Sequence, residues 1–385
     1  MASADGKTLL TLEDYRLRAK EVLSSEAWAF YDDATGRKVT YRASSIAYDH
    51  YVLRPRILRD VTKRSLSTTI LGQPISMPIC VAPSANHRYA HPEAEVATAR
   101  GAADADTLFV LSSFSNASIA EVGRSSGSGL KWMQLYLMKN QEHTLHIVRE
   151  AEKAGFQALV LTVDLPVISC YSFLAAEDNA TSRYYNDPSL RPINLAIDLP
   201  EVHEAIRSGD TNIHRYLGTQ WQRPMTWADV RWLKSMTSLP IVLKGILTGE
   251  AAREASDAGV AGVIVSAHGG RALDGVPAPI DVLSEVVSAV KGQGLEVYLD
   301  GGVRCGTDVL KALAMGARAV FIGRPAIWGL ACDGASGVTK VLSILRNEFD
   351  SSLGLAGESY IYVPLGTTVE PVEPVEPVEL HLGST

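Results

Sequence analysis

A histidine and an arginine three residues apart, His268 and Arg271, follow directly on the apolar run Gly262 to Val265. An imidazole that accepts a proton beside a guanidinium that holds an anion suits a substrate with an acid group that loses a proton. Taken alone, the pair reads more simply as a polar loop with a surface histidine. The rest of the chain argues otherwise, because the same pattern recurs. Pro83-Ser84-Ala85, Ser112, Gln134 with Tyr136, Thr162 with Asp164, Lys244, Ser266 with His268, Asp300-Gly301-Gly302-Val303-Arg304 and Gly323-Arg324 each close an apolar run. Polar groups at one such end mean little, whereas polar groups at every end are hard to explain by packing.

Some of these residues suggest definite chemistry. The last two runs end in glycine followed closely by arginine, and backbone amides beside glycine can approach a phosphate while the guanidinium pairs with its charge. Two turns with surface arginines are the simpler alternative. Lys244 follows Ile241-Val242-Leu243, so its ammonium is expected to be buried and to need an anionic partner. A reduced flavin is one such partner, and a Schiff base is the competing use. Asp164 is the natural residue to orient His268 and stabilise its protonated form; a carboxylate that caps the next turn is the other reading.

Elements at the right places are needed to gather these groups. Short β-branched runs are expected as strands at Pro78 to Ala82, Leu108 to Leu111, Trp132 to Leu137, Leu159 to Val163, Ile241 to Leu243, Gly262 to Val265, Val297 to Leu299 and Ala319 to Ile322. Helical spacing is read at Glu93 to Ala105, Glu142 to Ala154, Trp227 to Met236, Gly249 to Ala258, Ile280 to Val290, Thr307 to Met315 and Gly337 to Phe349. Strand and helix in alternation predict an α/β fold, a (β/α)8 TIM barrel whose site lies at the C-terminal ends of the strands. A doubly wound open sheet is the alternative. The expected barrel domain covers residues 1–364, with an N-terminal helical segment and a long lid insertion after strand 4, about 165–225. Residues 365–385, rich in Val-Glu-Pro, are expected to form a disordered tail.

The 385 residues are 46% hydrophobic, enough for a full core, and the formal net charge of -7 offers no basic face for nucleic acid or an anionic membrane. Four widely spaced cysteines, without a CxxC pair, suggest neither zinc nor a disulfide framework. No signal-peptide pattern, no transmembrane run and no C-terminal peroxisomal signal is present, so a cytoplasmic location is expected.

The chain resembles the FMN-dependent 2-hydroxy acid oxidase and dehydrogenase family, which includes glycolate oxidase, lactate oxidase and the animal long-chain 2-hydroxy acid oxidases. Arg54-Pro55-Arg56, Gln134-Leu135-Tyr136, Leu161-Thr162-Val163-Asp164, Leu239 to Gly245, His268 to Arg271, Leu299 to Arg304 and Gly323-Arg324-Pro325 carry the likeness. Lys244 to Thr248 and Trp328 to Cys332 are most similar to the long-chain branch. The resemblance implies FMN held by Pro83, Ser84 and Ala85 and by Ser112, Gln134, Thr162, Lys244 and Ser266, with its phosphate at Asp300, Gly301, Gly302, Arg304, Gly323 and Arg324. It implies His268 as catalytic base with Asp164 behind it, and Arg271 and Tyr136 on the substrate. A 2-hydroxy acid becomes a 2-oxo acid, and in the oxidases O2 reoxidises the flavin to give hydrogen peroxide; a dehydrogenase with another acceptor, or a diverged flavoprotein with another substrate, is the alternative. The likeness further implies a homo-oligomer, commonly a tetramer.

Two positions depart from the family pattern. Tyr171 stands where members carry a second arginine for the substrate carboxylate, so one clamp is missing unless Arg183 on the expected lid replaces it. Near the N-terminus, either Phe30 or Tyr31 takes the place of a substrate-contacting tyrosine, and Phe30 there suits a bulkier, more apolar acid.

Overall fold

The computed structural model describes residues 8–167, 190, 193–195, 225–359 and 369–371. Three helices come first: α1 (Leu12–Val22), α2 (Ser25–Asp32) and α3 (Val39–Ile46). Thr11 and Ser24 cap the first two by accepting the backbone N–H of Asp14 and Ala27. Strand β1 (Tyr51–Leu53) follows, and then a hairpin of β2 (Thr68–Ile70) and β3 (Gln73–Ile75).

Eight parallel strands then close a barrel: β4 (Ile79–Val81), β5 (Phe109–Leu111), β6 (Lys131–Leu135), β7 (Leu159–Thr162), β8 (Ile241–Ile246), β9 (Gly262–Val265), β10 (Glu296–Asp300) and β11 (Val320–Ile322). Each expected strand is present, and the barrel is closed because β11 pairs with β4. Between them run α4 (Ala94–Asp104), α5 (Ile119–Ser125), α6 (Gln141–Lys153), α7 (Trp227–Ser235), α8 (Gly249–Asp257), α9 (Pro279–Ala289) and α10 (Gly306–Ala314). The reading missed α5, which is only 7 residues long and carries two buried residues, too short for a helical period to emerge. It also placed only the middle of α11 (Arg324–Leu355), which is interrupted by non-helical backbone at Asp333 and Gly334.

Side-chain alternation along the strands divides the core in two. Phe109 and Leu111, Leu159 and Leu161, Ile241 and Leu243, and Ile322 face the surrounding helices. Cys80, Val110, Trp132, Val160, Val242, Ile264, Tyr298 and Phe321 fill the barrel interior. Trp132, Tyr298 and Phe321 meet with centroids 5.8 to 6.2 Å apart and plug the centre. Two residues further along each strand, the same inward face presents Ala82, Ser112, Gln134, Thr162, Lys244, Ser266, Asp300 and Gly323. The period of two therefore delivers one small or polar residue per strand to the barrel mouth, above an apolar floor.

Within the tail expected to be disordered, Val369–Pro371 forms a further strand, β12, antiparallel to β1. Tyr171, Arg183 and most of the expected lid lie outside the described residues. No helix among the described residues is long and apolar enough to cross a membrane.

Candidate active site

The barrel mouth opens into a cleft roofed on one side by α2 and α3. Of the residues expected from sequence, Pro83, Ser84, Ala85, Ser112, Gln134, Thr162, Lys244, Asp300, Gly301, Gly302, Arg304, Gly323 and Arg324 line it, as do Phe30, Tyr31, Tyr136, His268 and Arg271. Asp164 and Ser266 stand just behind this wall, each bonded to residues that line it. His268 Nδ1 lies 2.8 Å from Asp164 Oδ1. The Ser266 hydroxyl accepts both from Lys244 Nζ at 3.0 Å and from the His268 backbone N–H at 3.1 Å.

The His268–Asp164 contact depends on local backbone. His268 adopts φ 54, a left-handed conformation, immediately after β9. On β8, Gly245 has φ +110, and a Cβ there would lie 2.5 Å from the Asp164 Cβ, so only glycine leaves room for the carboxylate. Burial pushes the Asp164 carboxyl up, but His268 first and Lys244 next outweigh it and hold it below the usual carboxylate range. Asp164 is therefore ionised at neutral pH and accepts a proton-bearing Nδ1. Tyr136 is the opposite case. Burial, and then the nearby Asp164 charge, push its phenol well up, so it stays a hydrogen-bond donor.

A second buried pair sits deeper. Lys244 Nζ is 3.4 Å from Asp300 Oδ2, and both side chains are almost fully buried. The carboxylate that was expected beside the phosphate thus turns to the lysine. Its other oxygen, Oδ1, is buried and has no hydrogen-bond partner among the described residues. Gln134 is fixed on both sides, accepting from the Ser113 N–H at 2.9 Å and donating to Thr162 Oγ1 at 3.0 Å.

At the far end, Gly302 has φ +83 and a Cβ there would lie 2.0 Å from the Ser44 carbonyl oxygen. α3 can close over this turn only because the residue is glycine. Arg304 beside it donates one N–H to Val303 O and lies against the Trp328 ring, 5.1 Å from its centroid. No carboxylate is within ion-pair range of Arg304 among the described residues, and burial pushes its pKa down. A desolvated guanidinium with spare donors beside open backbone is suited to a phosphate.

Arg324, expected at the same phosphate, also lines the cleft, and its guanidinium donates to the Tyr31, Gly269 and Asp33 carbonyls. Arg271 Nη1 likewise donates to Phe30 O at 2.7 Å and to Asp33 O at 3.3 Å, and its Cζ lies 5.3 Å from the Phe30 ring centroid. The Phe30 and Tyr31 alternatives also separate here. Both line the cleft, but the Tyr31 hydroxyl donates to Asn86 O at 2.7 Å, while the Phe30 ring packs against Arg271.

Sequence reasoning missed Tyr41, Ser44, Ser45, Phe114 and Ile327, which also line the cleft. Tyr41, Ser44 and Ser45 sit at i, i+3 and i+4 on α3, a shared face that helical spacing would have revealed. Beneath the wall, buried Glu95 accepts the backbone N–H groups of His87, Asn116 and Ala117, tying the loop after β4 to the loop after β5.

The residues fit a flavin mononucleotide. Asp300 Oδ1 is an acceptor in want of a donor, Lys244 is a cation at the cleft floor, and Arg304 with Gly302 forms an anion cradle at one end. Comparison with known proteins agrees with this chemistry. The family model of FMN-dependent dehydrogenases matches residues 19–362. The chain is 44% identical over 350 residues to 2-hydroxyacid oxidase 1 of Homo sapiens, covering 91% of this chain and 93% of that one. It is 44% identical over 350 residues to glycolate oxidase of Spinacia oleracea, covering 91% and 92%. Among solved structures, mandelate oxidase with benzoyl-formic acid superposes with a TM-score of 0.79 at 36% identity, covering 92% of this chain and 96% of that one.

Proposed function

The chain belongs to the FMN-dependent 2-hydroxy acid oxidase family and oxidises 2-hydroxy acids with FMN as cofactor, and we propose that His268, Asp164 and Arg271 carry that reaction in the cleft. The 2.8 Å contact between His268 Nδ1 and Asp164 Oδ1 carries the reading. With Nδ1–H given to the carboxylate, Nε2 is left as the proton acceptor, and the ionised Asp164 stabilises the imidazolium that forms. Arg271 holds the substrate carboxylate beside that base, within reach of one acid molecule. The protonated Tyr136 donates a hydrogen bond to a substrate oxygen.

Lys244, Gln134, Ser112, Thr162 and the backbone from Pro83 to Ala85 would hold the flavin ring side, with Arg304, Gly302 and Gly323 at the phosphate. FMN, when bound, supplies the two-electron acceptor, and dioxygen carries the electrons away as hydrogen peroxide. Around the substrate, Phe30, Phe114 and Ile327 present apolar walls that favour an acid with a bulky carbon substituent over the smallest members of the class. Mandelate oxidase, which binds the aromatic benzoyl-formic acid, supports that preference.

His268→Ala is expected to slow anaerobic bleaching of the flavin by a good 2-hydroxy acid roughly 10²- to 10⁴-fold, the usual contribution of a positioned base. Its flavin absorbance should stay at wild-type stoichiometry. Bleaching at the wild-type rate would remove His268 from the role, and a purified wild-type chain without flavin would overturn the whole proposal.

A further inference from the structure

We infer that Asp274 is a positioning residue for the phosphate end of the cleft: from the loop that carries His268 and Arg271, its carboxylate caps the N-terminus of α3 and so holds that helix over Gly302. The first N–H groups of a helix have no partner within it. α3 starts after Lys38, which adopts φ 61 and ψ 29 and gives no side-chain cap of its own. The acceptor comes instead from a residue 234 positions away from Thr40 in the chain.

Asp274 meets the start of α3 with both oxygens. Oδ1 accepts the Thr40 N–H at 2.9 Å, and Oδ2 accepts the Arg37 N–H at 2.8 Å. Thr40 is fully buried and completes a clip, because its hydroxyl donates to Val276 O at 3.0 Å and accepts from the Gly275 N–H at 2.9 Å. Just ahead of α3, the Thr35 N–H donates to Gly270 O at 2.8 Å, so this segment is tied to the same loop at two places. The turn is shaped for the carboxylate. Gly36 has φ +57, and a Cβ there would lie 2.9 Å from Asp274 Oδ2.

Charge favours the same arrangement. The Thr40 N–H, ahead of every other contact, holds the Asp274 carboxyl below the usual carboxylate range, so it is ionised at neutral pH. An anion at the positive end of a helix dipole is stabilising. What α3 carries makes this cap matter to the site. Tyr41, Ser44 and Ser45 line the cleft, the Tyr41 ring centroid lies 4.7 Å from Arg324 Cζ, and the Ser44 carbonyl closes on Gly302. Asp274 does not line the cleft, so its influence runs through α3.

This inference rests on the cleft being the FMN site, and the test keeps the two apart. The full-length chain, freed of flavin, is titrated with FMN and with riboflavin by quenching of flavin fluorescence, for wild type, Asp274→Ala and Asp274→Asn. Loss of the cap in Asp274→Ala should weaken FMN about tenfold, while riboflavin, which lacks the phosphate, changes less than about threefold. Asp274→Asn keeps one acceptor oxygen and should fall between Asp274→Ala and wild type. With FMN saturating, kcat for a 2-hydroxy acid should stay within about threefold of wild type. Equal losses of FMN and riboflavin affinity would make Asp274 a general stabiliser of the fold and overturn the inference. Wild-type FMN affinity in Asp274→Ala, Asp274→Asn no better than Asp274→Ala, or a loss confined to kcat would overturn it as well. Should Asp274→Ala fail to fold, Asp274→Asn gives the same ratio on a smaller scale. Wild type that binds neither flavin would refute the proposed function itself.

Discussion

At one end of the cleft, Arg304 rests on the face of Trp328 with donors to spare and no carboxylate in ion-pair range among the described residues. At the other end, Arg271 and Arg324 are already anchored to the carbonyls that close α2. Both ends are cationic, and both are built from loops after barrel strands. The difference lies in what else arrives. Beside Arg304, α3 approaches so closely that its Ser44 carbonyl meets Gly302, but the guanidinium itself is left to the cleft. Beside Arg324, a helix ends without a cap and supplies acceptors. The two ends thus differ in how their cations are held, one against an aromatic face and the other by backbone carbonyls.

The largest effect should come from closing the space at the phosphate end. Gly302→Ala must hold a side chain at φ +83 with its Cβ 2.0 Å from a backbone oxygen. Strain and overpacking together should cost about 3 kcal/mol or more, seen in urea unfolding, and FMN should be lost on gel filtration. An alanine variant with wild-type stability would mean that α3 does not close on this turn.

Next comes Arg304→Met, expected to weaken FMN about a hundredfold while leaving riboflavin binding unchanged, since one or two charge-assisted bonds are removed. Unchanged FMN affinity in a flavin-fluorescence titration would remove Arg304 from the phosphate site.

The smallest effect concerns the acid end and pH. Asp164 has its pKa depressed in the folded protein, so its contribution to stability is complete above the unfolded carboxylate value and is lost as pH falls through the folded one. The gap in urea midpoint between wild type and Asp164→Asn should therefore be full at pH 7 and shrink below about pH 4. A gap that widened on acidification would show that burial, and not His268, governs this carboxylate.

The barrel was legible because each strand is a short apolar run that ends in a polar or small residue, and the period of two carries those residues to the mouth. Lys244, Gln134, Thr162 and Asp300 needed nothing more than that alternation. The fate of Arg324 was not legible. Its acceptors lie at Tyr31, Asp33 and Gly269, distant in sequence, and nothing in Gly323-Arg324 distinguishes it from Gly302-Val303-Arg304. The pairing of Asp300 with Lys244 was not legible for a related reason, because the two side chains come from strands two places apart around the barrel. Phe114 was one residue beyond Ser112-Ser113, and following the chain slightly past the strand end would have found it.

The left-handed backbone of His268 has a consequence for how the protein can evolve. A side chain other than glycine at φ 54 costs about 1–2 kcal/mol, and the fold accepts that cost to aim the imidazole at Asp164. Selection for a sturdier protein alone would thus drift toward glycine at this position, exchanging turnover for tighter folding. Histidine at this position therefore trades some folding stability for an imidazole aimed at its carboxylate partner.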